Sequence, residues 1–163
     1  MRRGLTLLEL MLVVAILAIL GALLMPMAVR GDSVTTDATA RLLASDLEHA
    51  QMLALSRPDL RVALSIDADE QGWRIVDADA PGVPLTDRID DGAAGRTLAV
   101  RCGEGRASFG AGALVRPGGS LIIFDPLGGL ETPGGLARTV QVDYGASTRL
   151  VSVDADTGFV TLE

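Results

Sequence analysis

The opening stretch MRRGLTLLELMLVVAILAILGALLMPMAV, residues 1–29, decides how the rest of the chain is read. From Leu10 to Val29 twenty consecutive residues carry no charge. As a helix rising about 1.5 Å per residue they span roughly 30 Å, the hydrocarbon thickness of a bilayer. Arg2 and Arg3 precede the run, so the positive-inside tendency puts them in the cytoplasm and everything after Val29 on the far side. Glu9 stands at the mouth of this run. An ionised carboxylate at a membrane edge costs on the order of several kcal/mol unless a partner compensates it, which makes Glu9 a functional residue by default. Gly21 and Pro26 weaken the helix within the span and mark a kink or a melted turn. The stretch after the run reads MPMAVRGDS, without the small-x-small site of a secretory signal, so cleavage there is disfavoured.

Outside the run the chain changes character. Residues 30–163 carry 12 arginines against 20 acidic residues, a formal charge of −8. A domain of this charge is a poor match for nucleic acid, and no nucleic-acid partner is expected. About 100 residues suffice for one domain and not for two. Cys102 has no second cysteine to pair with, and its expected place is a small buried strand position.

After a short joint at Arg30-Gly31-Asp32-Ser33, residues Asp37 to Ser56 repeat at alternating spacings of three and four. Ala40, Leu43, Leu47, Ala50 and Ala54 form one apolar stripe. Thr36 reads as its N-cap and Arg57-Pro58 as its stop, with Arg41, Asp46, Glu48 and Gln51 on the other faces. His49 is read as a surface residue. From residue 61 the period becomes two. Val62, Leu64 and Ile66 alternate, Trp73 and Ile75 follow, and further runs cover 96–101, 120–124, 139–144, 149–153 and 159–162. The last two flank Asp154-Ala155-Asp156-Thr157-Gly158, whose residues suit a hairpin turn. The fold class is α+β: a long N-terminal helix packed on an antiparallel β domain.

Catalytic chemistry finds no purchase. Asp154-x-Asp156 and Asp67-x-Asp69 have carboxylates at calcium-loop spacing, but neither completes the loop, and acidic β-turns explain both. Gly110-Ala111-Gly112 and Gly128-Gly129 lack the strand-then-helix setting of a phosphate loop. No Ser/His/Asp or Cys/His set is present, so the expectation is a protein that is not an enzyme and takes no cofactor or metal.

The leader resembles the class III signal of type IV pilins and type II secretion pseudopilins: a short basic leader ending in glycine, then a hydrophobic residue, Thr, Leu, Leu and Glu. Here Arg2-Arg3-Gly4 is followed by Leu5-Thr6-Leu7-Leu8-Glu9, with Leu5 where phenylalanine is commoner. The resemblance implies that a membrane-embedded prepilin peptidase cuts between Gly4 and Leu5 and methylates the new amine of Leu5. The ammonium so created lies about one helical turn from Glu9. In a staggered array the amine of one subunit can meet Glu9 of its neighbour, and one ion pair sets the register.

Later segments extend the likeness. LLASDLEHAQMLAL (42–55), SLIIFDPLGGL (120–130) and RLVSVDADTGFVTL (149–162) are similar to the helix, central strand and terminal hairpin of H-type minor pseudopilins and FimT-like minor pilins. The implied organisation is a leader at 1–4, a transmembrane and assembly helix at 5–29, its periplasmic continuation at 30–57 and a β-rich pseudopilin domain at 58–163. The implied function is a minor pseudopilin at the tip or in the initiation complex of a pseudopilus that drives folded proteins through the outer membrane. Its partners would be the prepilin peptidase, other major and minor pseudopilins and the inner-membrane assembly platform. Its location would be the inner membrane, single-pass, with the C-terminal domain in the periplasm. Two alternatives stand beside this: a FimT-like minor pilin acting in pilus assembly or DNA uptake, and an unprocessed single-pass anchor presenting a periplasmic binding domain.

Overall fold

A computed structural model describes residues 7–87, 96–131 and 139–163, without the side chains of 21–30 and 87. Helix α1 runs from Leu7 to Ser56 as one element of 50 residues, about 75 Å at the usual rise. The expected joint at residues 30–33 is absent, and Thr36 is not an N-cap. The Thr36 hydroxyl donates to the Asp32 carbonyl at 2.8 Å and the Thr39 hydroxyl to the Thr35 carbonyl at 2.9 Å. Both threonines are buried. Back-bonding of this kind satisfies a buried hydroxyl inside a helix without ending it. The helix does end at Ser56, ahead of Pro58, which has no N–H to continue it.

The stripe expected from the spacing is the buried face: Ala40, Leu43, Leu47, Ala50 and Ala54 are all at or below 1% exposure. Four of the buried helix positions, 40, 44, 50 and 54, are alanines, which bring the helix backbone close to the strands. Among the described residues ten short strands follow: β1 (Val62–Ile66), β2 (Gly72–Asp77), β3 (Thr86–Asp87), β4 (Arg96–Thr97), β5 (Ala99–Arg101), β6 (Leu114–Arg116), β7 (Leu121–Ile123), β8 (Thr139–Tyr144), β9 (Ser147–Val153) and β10 (Val160–Leu162). They form two antiparallel sheets of four strands, ordered β5-β2-β1-β7 and β10-β9-β8-β6, and a ribbon of β3 and β4. A 3-10 helix, Gly105–Gly110, lies between β5 and β6. Backbone bonds from Val115 to Glu70 at 2.7 Å and from Leu130 to Ala155 at 2.8 Å join the two sheets at their ends.

The core lies between α1 and the sheets. Val62, Leu64, Ile66, Trp73, Ile75 and Ile122 come from the first sheet; Val115, Val140, Val142, Val151 and Val153 come from the second. Alternation along each strand places these residues on one side. Strands β3 and β6 and the 3-10 helix carry too few residues to show a period, and the sequence reading passes over them. Cys102 follows β5 in a turn and is half-buried, not a strand residue.

Candidate assembly surface

Two parts of the molecule stand out: the exposed N-terminal length of α1, and the joint that holds the rest of α1 against the sheets. On the free length every residue from 7 to 20 is exposed, including Leu7 at 77% and Leu17 at 62%. Apart from Glu9 these residues are apolar all round. A helix with no polar face is covered by lipid or by other helices. Glu9 sits in the first turn, where the helix's own amides favour a negative charge. Among the described residues no helix is long and apolar enough to cross a membrane. Gly4 and Leu5 lie outside the described residues. The helix is continuous through positions 21 and 26, whose side chains are likewise outside them.

The joint is polar and specific. Asp46, expected on an outer face, is buried at 4% exposure. Its Oδ2 accepts from Trp73 Nε1 at 2.8 Å, and Arg106 reaches both carboxylate oxygens, Nη1 to Oδ1 at 3.1 Å and Nη2 to Oδ2 at 3.0 Å. Helix, first sheet and 3-10 helix thus meet at one carboxylate. The sequence held a signal for it: a single tryptophan whose indole N–H needs an acceptor when buried, and an acid lying between Leu43 and Ala50 on the apolar stripe.

Two further ties flank it. Gln51 Nε2 donates to the carbonyls of Gly128 and Thr157, both at 2.8 Å, linking the helix to the β7 loop and the β9–β10 turn. Gly158 has φ +67°, and a side chain there would collide with the Gly128 carbonyl and the Gln51 amide. At the other end the Ala146 N–H reaches the Asp32 carboxylate at 3.4 Å. Asp37 accepts from Arg41 at 2.8 Å and faces Arg149 at 3.5 Å. The hydrogen bond from Arg41 is the main reason its carboxyl lies below the ordinary range.

The acidic turns serve the backbone. Asp154 Oδ1 accepts the N–H groups of Asp156 and Thr157 at 3.1 and 2.9 Å. Asp69 accepts the N–H of Gln71 and pairs with Arg101, while Asp67 is taken by Arg74. Among the described residues no group of three His, Cys, Asp or Glu side chains is placed to hold a metal ion.

Compared with known families, residues 39–157 match the model described as type II transport protein GspH, and residues 1–25 match the prokaryotic N-terminal methylation motif. No curated protein and no solved structure matches the chain.

Proposed function

The chain belongs to the family of the type II transport protein GspH, and from that premise we propose that it is a minor pseudopilin, made as a prepilin and built into the tip or initiation complex of a type II secretion pseudopilus. One observation carries the reading: residues 7–25 of the methylation motif and residues 39–56 of the GspH match lie on the single helix α1. The motif calls for a leader of residues 1–4, cleavage between Gly4 and Leu5, and a methylated Leu5 amine. Residues 5–29 then form the inner-membrane and assembly segment, with Gly21 and Pro26 as the points where it bends. Residues 30–57 carry the helix into the periplasm, and 58–163 supply the globular part.

The chemistry is mechanical, not catalytic. Leaving the bilayer for a filament requires that every apolar face of residues 7–20 be covered by neighbouring helices, and that the Glu9 carboxylate keep a cation throughout. The Leu5 ammonium of an adjacent subunit supplies that cation at a fixed stagger. The peptidase, the other pseudopilins and the assembly platform are the partners this requires. Intact-mass analysis of the membrane-extracted protein tests the proposal. The expected species begins at Leu5 with one added methyl group; a mature species retaining Met1, or one cut after Val29, would overturn it.

A further inference from the structure

The β8–β9 turn meets α1 close to where the apolar run ends. The Ala146 N–H reaches the Asp32 carboxylate at 3.4 Å, which ties the turn to a helix position three residues beyond Val29. Three residues rise about 4.5 Å along the axis. Side chains on a helix tilt toward its N-terminus, so the Asp32 carboxylate lies on the Val29 side of its own Cα. The headgroup layer on each face of a bilayer is about 5–7 Å thick. With residues 5–29 in the bilayer, a reading on which this inference rests, the turn falls within that layer.

The turn is suited to that level. Tyr144-Gly145-Ala146-Ser147-Thr148 carries no charge, and Gly145 and Ala146 are exposed. Tyr144 is the chain's one tyrosine and lies half-buried beside Gly112; an aromatic ring with a polar tip favours the membrane–water interface. The acids around the turn are engaged within the domain. Asp37 holds Arg41 at 2.8 Å and Arg149 at 3.5 Å, and Asp143 accepts from Gln141 Nε2 at 2.8 Å and from the Thr148 hydroxyl at 2.7 Å. Although residues 30–163 carry a formal charge of −8, this end offers lipid phosphates a neutral loop with the Arg41 and Arg149 guanidinium groups next to it.

We propose that residues 144–147 are seated among the phospholipid headgroups of the bilayer that α1 enters. The seat continues the contact between the helix and lipid, and no length of bare helix separates the domain from the membrane. Transmembrane helices tilt by about 20° on average. A tilt toward the turn sinks it deeper.

The test uses the full chain in phospholipid nanodiscs, with a nitroxide label on Ala146→Cys, Leu20→Cys or Leu127→Cys, each in a Cys102→Ser background. Leu127 is 89% exposed and adjoins Gly128, whose carbonyl accepts from Gln51, a helix position about 28 Å beyond Asp32. A nickel chelate tethered to lipid headgroups should relax the label at 146 several-fold more than the labels at 127 and 20. At 20 the label should meet oxygen, which concentrates in lipid, and be shielded from a water-soluble nickel chelate. Far-ultraviolet circular dichroism reports that each variant is folded. Equal, weak relaxation at 146 and 127, with the label at 20 in hydrocarbon, overturns the inference and leaves the membrane segment standing. A label at 20 that meets the water-soluble chelate freely overturns both.

Discussion

Replacing Asp46 tests whether the helix is seated on the sheets by its polar joint or by its apolar stripe alone. In Asp46→Ala the buried Trp73 N–H loses its acceptor, and an unsatisfied buried donor costs about 1–3 kcal/mol. Arg106 loses a two-point partner as well. Breaking a fully buried pair costs about 3–5 kcal/mol, but the Arg106 side chain is 37% exposed and recovers water, so the ionic share is discounted to about 1 kcal/mol. The expected total for Asp46→Ala is about 2–4 kcal/mol. Asp46→Asn keeps one acceptor oxygen for the indole but loses the charge and sets its amide NH2 against the Arg106 donors, so its cost should fall below that of Asp46→Ala, at about 1–2 kcal/mol. Because Trp73 is the chain's one tryptophan, its fluorescence in urea titrations of the full chain reports the transition at the site itself. A double-mutant cycle with Trp73→Phe, followed by far-ultraviolet circular dichroism because that variant lacks the fluorophore, separates the indole bond from the guanidinium pair. A cost for Asp46→Ala within about 0.5 kcal/mol, the usual range for a surface change, would show that the stripe alone seats the helix.

Glu9→Ala should leave the β domain folded and the protein inserted, and should cut cross-linking to other pseudopilins at equal membrane abundance, since the neighbour's ammonium loses a partner worth roughly 3–5 kcal/mol; unchanged cross-linking with unchanged secretion refutes the register role. Gly158→Ala should destabilise by about 1–3 kcal/mol through its positive φ and the clash with Gly128 and Gln51, and a wild-type urea midpoint would contradict that packing. The Cys102 thiol is pushed above its ordinary value, chiefly by burial, so less of it is thiolate at neutral pH. Alkylation should be slow in the folded chain, should rise only at more alkaline pH than for a free thiol, and should become rapid on unfolding; prompt labelling of the folded chain at neutral pH speaks against this.

Local pattern alone determined a good deal. The three-and-four spacing of Ala40, Leu43, Leu47, Ala50 and Ala54, the period-two runs around Val62–Ile66 and Thr139–Tyr144, and the turn chemistry of Asp154–Gly158 are properties of neighbouring residues, and each is realised where the pattern lies. The motif from Gly4 to Glu9 is likewise contiguous, so the family was legible before any coordinate. Tertiary structure decided what depends on residues far apart in sequence. Asp46 reads as an exposed polar residue until Trp73 and Arg106, 27 and 60 positions away, converge on it. Residues 30–33 look like a joint because Gly31 and Asp32 are poor helix formers, yet the helix runs through them and the Asp32 carboxylate accepts from Ala146, 114 positions away. The short strands β3 and β6 and the order of strands in the two sheets belong to the same class: pairing energy comes from a distant partner strand, and two or three residues carry no periodic trace of it.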